Sequence, residues 1–94
     1  MWRLLTRLRT PLTAYSLDEQ VALRPEPFGA LAYHYGNRRL TFLRSPDLVG
    51  LVRSLDAHDT VEGALAASGI AERRWPAMVT ALESLAAAEV LRER

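Results

Sequence analysis

The sequence predicts an α+β domain, a three-stranded antiparallel sheet followed by three helices in a winged helix-turn-helix-like order. Three observations carry that prediction. Residues 21–43, VALRPEPFGALAYHYGNRRLTFL, are rich in strand formers and carry turn signals at two places. From Ser45 onward, apolar residues recur at helical spacing in three blocks. The last two blocks are hinged at Ser68-Gly69-Ile70, the spacing of a helix-turn-helix.

Residues 1–16 lack clear periodicity, and Pro11 breaks any helix there, so they are expected to form a mobile tail ahead of a single domain over 17–94. Val21 and Leu23 alternate with Ala22 and Arg24, which suits a first strand. Arg24-Pro25-Glu26-Pro27 then forces an extended turn, because each proline fixes its own φ and restricts the residue before it.

Gly36-Asn37 lies between two strand-forming runs, and glycine first fits a two-residue type II′ loop. That loop places Tyr35 opposite Arg38, Tyr33 opposite Leu40 and Leu31 opposite Phe42, with His34, Ala32 and Ala30 opposite Arg39, Thr41 and Leu43. One face then gathers Leu31, Tyr33, Tyr35, Leu40 and Phe42; the other is small or polar. The large face is expected to be the packed one.

Ser45 is a good N-cap, Pro46 suits the first helical position, and Asp47 favours the positive helix end. Leu48, Leu51, Val52 and Leu55 follow at helical spacing. A second helix starts near Asp59-Thr60, where Asp59 and Glu62 resemble a capping box, and stops at Gly69. The third begins between Glu72 and Pro76. Its stripe is Trp75, Met78, Val79, Leu82, Leu85 and Ala86, and Val90 and Leu91 fall outside it.

Composition removes several function classes. The 94 residues make one domain, with 12 basic and 11 acidic side chains and a net charge of +1, so nothing steers the chain toward nucleic acid or anionic lipid. All the basic residues are arginine. There is no cysteine, which removes disulfides, thiolate metal sites and cysteine nucleophiles. No apolar run reaches the ~18 residues of a membrane span, and Arg7 and Arg9 interrupt the start too early for a secretory signal. A cytoplasmic location fits this pattern.

No catalytic arrangement is legible. His34 and His58 are the only histidines; the first reads as a solvent-side strand residue beside Arg39 and the second as a loop residue before a helix. No nucleophile elbow accompanies any serine. Neither a cofactor nor a metal is expected. DNA binding is the alternative reading, since helix-turn-helix folds often read DNA. Arg73 and Arg74 open the third helix and Arg38 and Arg39 tip the hairpin, but Glu83, Ser84 and Glu89 follow with no base before Arg92. Peptide binding competes better. The strand over 38–43 lies at a sheet edge, has no proline, and carries charge only beside its turn, so a guest strand can add there.

The run LDEQVALRPEPFGALAYHYGNRRLTFL, followed by VRSL, resembles the mycofactocin precursor-peptide chaperone family, among the peptide-recognition domains related to the D protein of pyrroloquinoline quinone biosynthesis. The likeness covers about residues 17–55 closely and the last two helices more loosely. It implies a non-catalytic carrier that binds the leader of a ribosomally made precursor peptide. The carrier would present the peptide's core to a radical S-adenosylmethionine maturase, which would hold the iron–sulfur cofactors and act on a C-terminal Val-Tyr pair. In such domains the leader adds beside the third strand, facing the third helix. By position that implies Arg39, Leu40, Thr41, Phe42 and Leu43 with Trp75, Met78, Val79 and Leu82, and Met78 is the residue expected to line the groove.

Overall fold

The computed structural model describes residues 13–94. Five strands and three helices follow in order: β1 (Tyr15–Leu17), β2 (Val21–Glu26), β3 (Gly29–His34), β4 (Leu40–Leu43), α1 (Pro46–Ser54), α2 (Val61–Ser68), α3 (Trp75–Ala87) and β5 (Leu91–Glu93). The sheet β2–β3–β4 and the three helices form the α+β arrangement that the sequence predicts.

The predicted register holds: Leu31 faces Phe42, Ala32 faces Thr41 and Tyr33 faces Leu40. The loop that sets it differs. Gly36 does not adopt a positive φ; Arg38 does, at 62°. The loop spans four residues, closed by His34 N–H donating to the Arg39 carbonyl at 3.0 Å. Side chains hold it open. His34 Nδ1 accepts from the Gly36 and Asn37 amides at 3.0 and 3.1 Å, and Asn37 Oδ1 accepts from the Arg39 amide at 2.9 Å. His34 is thus a buried turn cap and not a solvent-side residue. A two-residue and a four-residue loop centred on the same point give the same cross-strand partners, so the register survives the change of turn.

The packed face is the opposite of the one expected. Ala30 and Ala32 are 0% and 1% exposed and Leu43 is fully buried, whereas Leu40 and Phe42 are 57% and 53% exposed. The helices approach the sheet over its two alanines. Small side chains there let Leu51, Val52 and Leu55 come close and close the core. Gly29 marks where the start of β3 and the end of β4 meet tightly: a Cβ at this position, φ +148°, would sit 2.1 Å from the Leu43 carbonyl oxygen.

Helix signals read true at most ends. Ser45 Oγ accepts from the Leu48 amide at 3.3 Å with Pro46 behind it, and Gly69 closes α2 with φ 81°. The α2 cap is Thr60, whose hydroxyl accepts from the Gly63 amide at 3.1 Å, so Asp59 and Glu62 do not form the capping box. A helical turn over Glu72–Arg74 leads into α3, and Trp75 Nε1 donates to the Ile70 carbonyl at 2.9 Å to fasten the hinge between α2 and α3.

The ribbon β1–β5 has no counterpart in the predicted elements. Tyr15 pairs with Glu93 and Leu17 with Leu91, and Tyr15, Val90 and Leu91 are buried in the core. Residues 13–16 therefore belong to the folded unit; the rest of the expected tail lies outside the described residues. The Tyr15 hydroxyl titrates above its usual range because burial disfavours the phenolate, with Glu93 and then Glu83 adding negative charge nearby. No helix among the described residues is long and apolar enough to cross a membrane.

Candidate functional site

Among the described residues, β4 is the outer strand of its sheet, paired on one side only. The closing bond between His34 and Arg39 fixes which of its groups point where, because antiparallel partners alternate between bonded and non-bonded pairs. Counting from that pair, Thr41 and Leu43 turn their N–H and C=O groups toward β3. Leu40 and Phe42 turn theirs outward. An extended chain laid beside β4 meets those two donors and two acceptors.

α3 is held lengthwise past this strand by one contact at each end. Asn37, in the turn before β4, donates through Nδ2 to Glu89 Oε2 at 2.9 Å, just beyond the end of α3. Asp47, shortly after β4, accepts from Arg74 Nη1 at 2.7 Å, at the start of α3. Strand and helix thus run in opposite senses, fastened at both ends.

The predicted site residues separate into two groups. Arg39, Leu40 and Phe42 are exposed, and Thr41, Trp75 and Val79 are half-buried. Their surfaces can meet a ligand. Leu43 and Leu82 are fully buried and Met78 is 8% exposed, so their side chains chiefly serve the core. Leu43 still belongs to the strand through its backbone. Among α3 residues with apolar surface left over, Trp75 and Val79 stand out.

Sequence reasoning missed the outer sheet face. The four large hydrophobic side chains exposed among the described residues are Phe28, Tyr35, Leu40 and Phe42. Phe28 and Phe42 meet edge to face at 5.7 Å, Tyr33 and Tyr35 do so at 5.2 Å, and the Arg44 guanidinium lies 5.4 Å from the Phe42 ring centre. These ring contacts pre-order an apolar platform beside the free strand edge. The sequence held the signal, since large residues alternate along both strands; what misled was assigning the larger face to the core.

Among the described residues, no group of three or more histidine, aspartate and glutamate side chains is placed to hold a metal. A cleft between α1 and α2 is lined in part by Ser54, His58 and Ser68. Both serine hydroxyls there donate back to their own helices, to the carbonyls of Leu51 and Leu65.

A family model described as the peptide chaperone MftB family matches residues 14–92. The chain is similar to a peptide chaperone MftB of Mycobacterium ulcerans (strain Agy99), 42% identical over 81 residues, covering 86% of this chain and 74% of the relative. It is likewise 42% identical over 81 residues to that of Mycolicibacterium smegmatis, covering 86% and 79%, and 36% identical to that of Mycobacterium tuberculosis, covering 86% and 74%. No solved structure matches. The matched span runs from the start of β1 into β5, and on that ground the chain belongs to the peptide chaperone MftB family, whose role is non-catalytic.

Proposed function

We propose that the chain binds the leader segment of a ribosomally made precursor peptide of the mycofactocin type as a strand added to β4, and presents the remainder to a radical S-adenosylmethionine maturase in the cytoplasm. The observation that carries this reading is the free edge of β4, with the Leu40 and Phe42 backbone groups turned outward and α3 fastened alongside. Main-chain hydrogen bonds would supply affinity, and side chains above and below the strand would supply choice among peptides. Arg39, Leu40, Thr41 and Phe42 form one wall of the binding site, and Trp75 and Val79 the apolar wall across from it. Met78 and Leu82 support that wall from the core. The name shared by the relatives, peptide chaperone, fits a carrier whose partner supplies the chemistry.

The DNA-binding alternative loses one of its cations, since Arg74 at the start of α3 is engaged with Asp47. Calorimetric titration of the purified chain with the precursor leader tests the proposal. Binding at about micromolar strength, roughly −8 kcal/mol, is expected. Tight, sequence-dependent binding to duplex DNA with no leader binding would overturn it.

A further inference from the structure

The backbone edge of β4 explains why a peptide can bind; it does not say which peptide. The solvent-facing side of the strand does. Leu40 and Phe42 stand two residues apart on that side, more than half exposed, with Leu31 and Tyr33 behind them on β3. A strand added at this edge places every second side chain beside that pair.

Charge brackets the pair. Arg38 and Arg39 precede β4 and Arg44 follows it, with no acidic residue between. None of the three makes an ion pair among the described residues, unlike Arg24, which pairs with Glu26, and Arg74, which pairs with Asp47. The acid near the turn, Glu89, accepts from Asn37. Arg44 is held over the Phe42 ring, so one cation sits at the rim of the apolar patch. From Arg39 to Arg44 an extended chain covers about 17 Å, the reach of five residues.

We propose that the edge of β4 selects its guest by chemistry: an extended peptide with two large apolar residues spaced two apart and at least one carboxylate beyond each end of that pair. Arg44, on the side of the apolar pair, and Arg39, one step out of phase and so on the helix side at the other end, are then specificity-determining residues, reading the two acidic ends. The inference rests on the reading that a peptide adds to β4.

Selection from a random displayed library of ten-residue peptides tests both, with the wild-type chain, Arg39→Glu/Arg44→Glu and Phe42→Pro as parallel baits. Each bait is melted beforehand to establish its fold. The wild-type pool should be rich in Asp and Glu flanking spaced apolar residues. Synthetic peptides from it should bind the wild type about tenfold more tightly than versions with lysine at the acidic positions, a preference that shrinks with added salt. The double charge reversal should select basic ends instead. A wild-type pool without acidic excess, or one unchanged by the charge reversal, overturns the inference while leaving strand addition standing. A pool that binds a folded Phe42→Pro bait equally well, or the absence of any enrichment, removes strand addition and this inference with it. Should Phe42→Pro fail to fold, the charge-reversed bait decides alone.

Discussion

Asn37 and Glu89 are joined side chain to side chain at 2.9 Å across the gap between the hairpin turn and the end of α3. Asn37 also holds the turn through its Oδ1, which accepts from the Arg39 amide. One residue therefore shapes the hairpin and sets its distance from the helix. Asn37→Ala should lower stability by about 1 kcal/mol, as for an ordinary hydrogen bond. Its effect on leader binding should be larger, because the groove splays at the turn end. Melting and titration of the same variant check this, and equal losses in both would mean that the contact serves folding alone.

The two neighbouring residues Thr41 and Phe42 should respond oppositely to proline. The Thr41 amide belongs to the ladder with β3, so Thr41→Pro should break the hairpin. The Phe42 amide points away from β3, so Phe42→Pro should keep the fold and lose the guest strand. Circular dichroism beside calorimetry separates the outcomes. A folded Phe42→Pro protein that binds leader normally rules out addition at this edge.

Substitutions on the two sheet faces should follow burial and not hydrophobicity. Ala32→Leu crowds the surface on which the helices sit and should cost ~1–3 kcal/mol. Phe42→Ser removes a larger apolar group but from an exposed position, and should change stability by less than about 1 kcal/mol. Denaturant melts on the pair would expose a reversed sheet if Phe42→Ser proved the costlier.

On α3, Leu82→Ala should cost ~2–5 kcal/mol and shift binding only through folding. Met78 is nearly as buried, so Met78→Ala mixes a folding loss with any binding loss. Val79→Ala is the cleaner test of the apolar wall, with an expected weakening of leader binding of ~1 kcal/mol at small cost to the melt. Unchanged binding in Val79→Ala would turn this face of the helix away from the peptide.

Tyr15 sets an alkaline limit. Its phenol loses a proton in the unfolded chain near the usual value of 10.0 but only above that when folded. The folded state thus holds the proton longer, and the stability this contributes is fully present below pH 10 and is lost as pH rises through the raised folded value. Tyr15→Phe should flatten the decline in stability above pH 10, measured by urea melts over that range.

The elements whose cause is local were legible from residues alone. Ser45 and Pro46 start α1, Gly69 stops α2, and the alternation around Gly36-Asn37 fixes the register even though the loop is not the one expected. Features that depend on distant partners were not. Tyr15 and Leu17 alternate like a strand, but three residues mean little until Leu91 to Glu93 arrive beside them. The choice of packed face was misread because the larger side chains lie outside, where they follow the needs of a surface. Of the candidate site, the strand edge was visible in the sequence; the two contacts that hold α3 beside it were not, since Asn37 and Glu89 lie 52 positions apart.

The β1–β5 ribbon carries a consequence for the order of folding. The hairpin β3–β4 closes a loop of a few residues and can form while the chain is still being made. β1 and β5 are separated by roughly 75 residues, and their pairing must wait until the whole interval has left the ribosome and its closure entropy has been met. Until then Tyr15 lacks its partner strand, while the short β3–β4 loop lets the edge of β4 form earlier. A nascent domain in that condition exposes an unpaired strand edge before its core is sealed, so truncation within residues 91–93 should yield a chain prone to sticking to itself along that edge.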